Sequence, residues 1–292
     1  MNFRPYILAS RPKTLPAALA PVFIGTALAY ADGKGHWLSA LFAALGALLI
    51  QIGTNYANDY YDHVKGSDDH KTRLGPLRAT AAGLVKPAAM RNAFVTAFGL
   101  AVLVGFYLLM RGGWPVILIG LFSIAAGILY TGGPYPLGYN GLGDIFVFIF
   151  FGLVAVAGTF YVQTLEMNVL VLVAGVAPGL MSTAILAVNN LRDEQNDRLS
   201  GKRTLPVVFG ESFGRLEYVL CLLIACLVPL FLVSLTGEHY FSLAASAVFF
   251  LALPSIRIIY REKPSRRYNE VLAKTGQLLF LFSILFSIGW LL

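Results

Sequence analysis

"NYANDYYD", Asn55 to Asp62, closes an apolar run and sets two asparagines, two aspartates and three tyrosines at the mouth of what its neighbours make a membrane helix. A second stretch, "NNLRDEQND" from Asn189 to Asp197, follows another apolar run in the same way. On a helix of about 3.6 residues per turn, Asn55, Asp59 and Asp62 share one face, and so do Asn189, Asp193 and Asp197. We expect the two stripes to face each other and to hold metal ions.

The composition around them sets the class. Of 292 residues, 57% are hydrophobic and 13% charged, and the mean hydropathy is +0.71. A soluble chain of this make-up would expose more apolar surface than it could bury. A bilayer span takes about 20 apolar residues. Nine stretches qualify, near 15–31, 37–58, 90–110, 114–130, 143–163, 168–190, 216–235, 239–256 and 272–291. The expected fold is all-α, one membrane domain over 1–292, with nine spans around a central cavity and the termini on opposite sides.

Lys and Arg gather in cytoplasmic loops. With the N-terminus cytoplasmic, all but Lys34 and Arg111 of the 22 basic residues fall on that side. The C-terminus is then outside. The net charge of +7 is therefore mostly topological and gives no reason to expect a nucleic-acid partner, since such residues flank spans and face anionic lipid. The first residues carry no cleavage-site pattern, so the first span is expected to act as its own anchor. Cys221 and Cys226 lie five apart within one span, on different faces, which argues against a disulfide. His36, His63, His70 and His239 show no zinc spacing.

Acidity is what remains to be explained. Of 15 acidic residues, Asp59, Asp62, Asp68 and Asp69 follow the second span and Asp193, Glu194 and Asp197 the sixth. Carboxylates at a helix C-terminus meet the negative end of its dipole, and like charges at i, i+4 repel. Ordinary capping does not account for two such clusters, whereas a bound cation does. Oxygen ligands without Cys or His suit magnesium or calcium, and magnesium commonly bridges carboxylates to substrate phosphates. Lys65, Lys71, Arg73, Arg78, Arg192, Arg198 and Lys202 lie close by in sequence and can receive phosphate oxygens. Acids and bases at one spot fit a diphosphate substrate.

These motifs resemble the two aspartate-rich motifs of the UbiA superfamily of intramembrane prenyltransferases. "LASRPKTLPAALAPVFIGTALA", "GPLRA" and "GGPYPLGYNGLGDIFVFIFFG" resemble more narrowly its 1,4-dihydroxy-2-naphthoate polyprenyltransferase branch (MenA type). The resemblance covers residues 9 to 210 and implies a menaquinone-pathway enzyme of the bacterial inner membrane. Such an enzyme transfers a polyprenyl group from its diphosphate to dihydroxynaphthoate, losing diphosphate and carbon dioxide and giving demethylmenaquinone. It implies that Asn55, Asp59, Asp62, Asp193 and Asp197 hold Mg2+, that Asn58 and Asn189 assist, and that Asp68 belongs to the first motif's outer part.

Many superfamily members carry Tyr-x-x-x-Lys after the fourth span; here "YPLGY" puts Tyr139 in the lysine's place. Diphosphate contacts are then expected from Lys65, Arg73, Arg78, Arg192 and Lys202, with Tyr130, Tyr135 and Tyr139 lining the cavity. Arg11 and Lys13 can approach the acceptor's carboxylate, and Asp144 is expected to cap the fifth span. The rival within the superfamily is a 4-hydroxybenzoate acceptor. The rival from another class is an ion-coupled transporter, against which stands the placing of the acids on one side only.

Overall fold

Prolines and short polar side chains decide where the helices begin. In the computed structural model, which describes residues 3–66 and 74–292, α1 (Pro16–Ala31) starts with its proline, where a missing N–H costs nothing. The His36 side chain accepts the Ser39 amide at 3.2 Å to open α2 (Trp37–Val64). Proline again opens α3 (Pro87–Gly112), and α4 is Trp114–Leu129. A continuous helix Gly143–Thr164 forms α5. The Asn168 side chain caps α6 (Val169–Leu199) by accepting the Val171 amide at 3.3 Å. Gly237, at φ +70°, stops α7 (Glu211–Thr236), a conformation glycine adopts without strain. The last two are α8 (Tyr240–Arg261) and α9 (Tyr268–Leu291).

Helices thus stand at all nine expected places, and no strand occurs among the described residues. Nine crossings do not follow from them. Seven are long and apolar enough to cross a bilayer, and an eighth is reached by joining Arg4–Thr14 to α1 across a 50° bend. α4 has 16 residues, about 24 Å of helix against an apolar core of about 30 Å. By length and composition, then, the described residues give seven spans, or eight with the bent pair, because not every apolar run reaches the length of a bilayer core.

α1 and α5 to α9 share one tightly packed core around Ile24, Phe160, Met181, Tyr218, Leu232 and Phe282. α2 packs on α3 mainly through Ala57, Phe94 and Phe98. α5 contains a π-helical turn at Ile149–Val154, where it crosses α6 very closely. A Cβ on Gly152 would lie 2.5 Å from the Gly175 carbonyl oxygen and 2.7 Å from the Gly179 Cα. Small residues allow this approach. It leaves open space on the other side of α5, toward α2, α3 and α4.

Candidate active site

α2 runs past its expected end at 58 as far as Val64, and α6 past 190 as far as Leu199. Both acidic stripes are therefore helical, and their ends meet at one cavity of about 480 Å³. Asn55, Asn58 and Asp62 border it from α2, and Asn189, Asp193 and Asp197 from α6. Tyr130, at the end of α4, borders this cavity and also a second, apolar chamber of about 700 Å³ between α1 and α5. Gln51, Thr54, Val147 and Phe151 line both spaces, so a charged head leads into a long apolar body.

Each acid at the head meets a donor. Arg78 donates from Nη2 to Asp62 Oδ2 at 2.7 Å, and the Tyr139 hydroxyl donates to Asp62 Oδ1 at 2.8 Å. The Lys202 ammonium lies 3.6 Å from Asp197 Oδ1 and 3.8 Å from Asp62 Oδ1, linking the two stripes. Arg192 grips Asp193 with Nε and Nη2 at 2.9 and 2.5 Å, and also donates to Asn189 and Asn269. Asn58 accepts from the Thr131 hydroxyl at 2.9 Å, while Asn55 donates to the Ser10 carbonyl at 2.9 Å.

Asp59 behaves differently. Its two oxygens accept the Ala79 and Thr80 amides at 3.0 and 2.9 Å, and it does not border the cavity. It anchors the loop that carries Arg78 to Asp62. Arg192 is likewise outside the lining, and Tyr135 is 61% exposed. Arg73, Lys71, Asp68, Asp69 and His70 lie outside the described residues.

Tyr139 stands where many superfamily members have lysine, and two lysines converge on it. Lys65 Nζ sits 5.0 Å and Lys202 Nζ 4.6 Å from its ring centroid. Lys65 also donates to the Thr131 and Gly133 carbonyls at 2.7 and 3.3 Å. Burial of that amine pulls its pKa below the ordinary lysine value; Asp62 works against the shift and Lys202 with it.

A family model described as the UbiA prenyltransferase family matches residues 18–288. The chain belongs to this family. A 1,4-dihydroxy-2-naphthoate octaprenyltransferase of Escherichia coli is 39% identical over 290 residues, 96% of this chain and 92% of that protein. One of the same name from Mycobacterium leprae is 36% identical over 283 residues, 97% and 95% of the two chains. The solved structure of an Archaeoglobus fulgidus UbiA homolog bound to GPP and Mg2+ superposes with a TM-score of 0.72, covering 98% of this chain and 99% of that one, at 15% identity. That likeness concerns the fold.

The cavity's donors suit magnesium within this UbiA fold. Asp62, Asp193, Asp197, Asn55, Asn58 and Asn189 present hard oxygens around one space, with no sulfur or imidazole among them. Among the described residues, no three acidic or other metal-binding side chains already converge as a cage. The bases hold the acids instead.

Several contributors carried no sequence signal as members of the site. Asn269, at the start of α9, receives Arg192 at 2.7 Å and donates to the Leu74 carbonyl at 2.9 Å. Gln51 and Thr54 form the neck of the cavity. Distance along the chain from both motifs hid Asn269, whereas Gln51 and Thr54 stand just before the first motif and were read as part of its apolar run. Asp144 sits in the first turn of α5 as expected, but no side-chain bond caps that helix. Asp144 instead lies beside the Glu217 carboxyl of α7.

Proposed function

We propose that this UbiA-family protein transfers a polyprenyl group from a polyprenyl diphosphate to 1,4-dihydroxy-2-naphthoate, with loss of diphosphate and carbon dioxide. The product is the reduced form of demethylmenaquinone. The observation that carries the proposal is the joining of a charged cavity to a long apolar chamber through Tyr130, Gln51 and Thr54. Such a space fits an anionic head with a hydrocarbon tail. The near full-length similarity to dihydroxynaphthoate octaprenyltransferases supports the choice of acceptor.

In this reading Asp62, Asp193 and Asp197 would hold magnesium, with Asn55, Asn58 and Asn189 close by. Asp59 serves from behind through the Arg78 loop. Bound there, the ion would supply positive charge to the departing diphosphate. Arg78 and Lys202 turn from the acids toward the diphosphate oxygens as these enter, exchanging one anionic partner for another, and Lys65 adds its charge from the rim. Arg192 holds Asp193 in place, and Tyr139 keeps both lysines at the rim. Tyr130, Val147 and Phe151 shield the allylic carbon from water, which would otherwise quench its developing cation. Arg11, which also lines the cavity, receives the acceptor's carboxylate. The ring attacks through the carboxylate-bearing carbon. The carboxylate then leaves as carbon dioxide, and its bonding electrons restore the aromatic ring.

The same reading places the protein in the bacterial inner membrane with nine crossings, α4 included, as a single domain. It is tested by incubating purified protein with Mg2+, a polyprenyl diphosphate and carboxyl-labelled dihydroxynaphthoate. Labelled carbon dioxide is expected in step with prenylated product. A preference for 4-hydroxybenzoate with its carboxylate retained would overturn the acceptor; no product with any aromatic acceptor would overturn prenyl transfer.

A further inference from the structure

The apolar chamber is lined by glycines of two kinds. Gly127 on α4 is a packing glycine, since a Cβ there would stand 2.3 Å from Thr54 Oγ1 on α2. Gly105 on α3 and Gly120 on α4 are different: a Cβ at either meets nothing within 4 Å. Gly46 on α2 would meet only Val104 Cγ1 at 3.9 Å, and Gly158 on α5 only Ile119, at 3.4 Å. All four line the chamber. Close helix packing is the usual reason for glycine inside a membrane helix, and it does not account for these.

The four also share one depth. Gly53 of α2 packs on Phe98 of α3, as Gly46 faces Val104 one step further along the antiparallel pair. Gly127 meets Thr54, so seven residues earlier Gly120 stands level with Ala47. Gly158 contacts Ile119 and closes the ring at the same height. Nine residues separate Gly46 from Asn55, about 13 Å of helix. A short prenyl tail ends before that depth. Longer tails must pass the ring.

We infer that Gly46, Gly105, Gly120 and Gly158 form an open collar that sets the length of prenyl chain this protein accepts. The inference rests on the prenyl-transfer reading above. The collar's missing side chains keep a passage between α2, α3, α4 and α5 for the distal part of a long donor. A bulky residue projected into it would stop the tail there without touching the charged head. The collar therefore discriminates by length, whereas the head recognises the diphosphate common to every donor.

The test measures kcat/KM for geranyl and octaprenyl diphosphates in the purified, magnesium-supplied protein and compares their ratio between variants. Gly120→Leu and Gly105→Leu, on separate helices, are each expected to lower the octaprenyl-to-geranyl ratio about tenfold or more, the scale of overfilling a packed space. Gly120→Ala and Gly105→Ala should move the ratio the same way by less, and they cover the case in which a leucine form does not fold. Gly127→Ala, which strains α2 against α4, is expected to lower thermal stability with the ratio kept. An unchanged ratio in both collar positions, or an equal loss with the two donors, overturns the collar. A wild-type protein that transfers neither prenyl group to any aromatic acceptor overturns the prenyl-transfer reading instead.

Discussion

Asp62 accepts from Arg78 and Tyr139 and lies 3.8 Å from Lys202, with its side chain 2% exposed. Removing one partner from a buried pair costs about 3 to 5 kcal/mol, because the remaining charge stays buried. Asp62→Asn is expected to lower thermal stability and to abolish prenyl transfer. Adding Arg78→Gln should return part of the stability and none of the turnover, a pattern read by thermal unfolding alongside product formation. Tyr139→Lys would restore the lysine common in the superfamily, yet it places a third ammonium beside Lys65 and Lys202. We expect it to be slower than Tyr139→Phe, which keeps the ring and loses only the hydroxyl's bond to Asp62. Lys65 supplies a pH prediction. With its pKa pulled down by burial, the amine loses its proton at a lower pH than an ordinary lysine. Activity that uses this charge should fall on an alkaline limb lying below the ordinary lysine range, and Lys65→Arg should move that limb upward in a kcat/KM profile. Folding stability changes in the opposite sense over that window: the unfolded chain holds the proton more tightly, so the penalty for the charged folded amine fades as pH rises.

At the scale of elements, the crossing of α5 and α6 sets the width of the space that α2, α3 and α4 enclose. Gly179 faces the Phe148 carbonyl oxygen, which a Cβ would approach to 2.7 Å. Gly179→Ala cannot be relieved by rotating a side chain, since the obstacle is backbone. We expect it to cost about 1 to 3 kcal/mol, the range for an overpacked contact, seen as a lower unfolding temperature in detergent. The Arg78 loop is a second case. Asp59 ties it to α2 through two backbone amides, so an acid that the motif pattern assigned to metal also has a structural task. The stripe at i, i+4 and i+7 was legible because helix periodicity is local. Which stripe member turned toward the cavity was not, because that depended on a loop returning twenty residues later.

For the whole molecule, charge and hydropathy together prescribe a topology. Lys34 pairs with Glu166 at 2.6 Å, joining the α1–α2 and α5–α6 connections that the charge pattern puts outside. Lys263, between α8 and α9, falls on the opposite side by the same pattern. A cysteine replacing Glu166 should react with an impermeant reagent on intact cells, and one replacing Lys263 only after permeabilisation. The native Cys221 and Cys226 are buried in α7 and should contribute little background. Equal labelling of both sites without permeabilisation would overturn the orientation. Labelling of a cysteine placed at Leu292 in intact cells would further support nine crossings, because it requires the short α4 to span with its neighbours.

The sequence by itself determined the membrane setting, the placing of the helices and the two acidic stripes. Each depends on apolar run length or on the 3.6-residue period, and both are properties of a few neighbouring residues. Tertiary structure alone decided that Lys65 and Lys202 converge on Tyr139, that Asn269 supports Arg192, and that four glycines from four helices stand at one depth. Those facts require segments far apart in the chain to meet at particular angles. The crossing of α5 and α6 was set by backbone approach at Gly152, Gly175 and Gly179, where the consequence of having no side chain appears only once the opposing helix is in place.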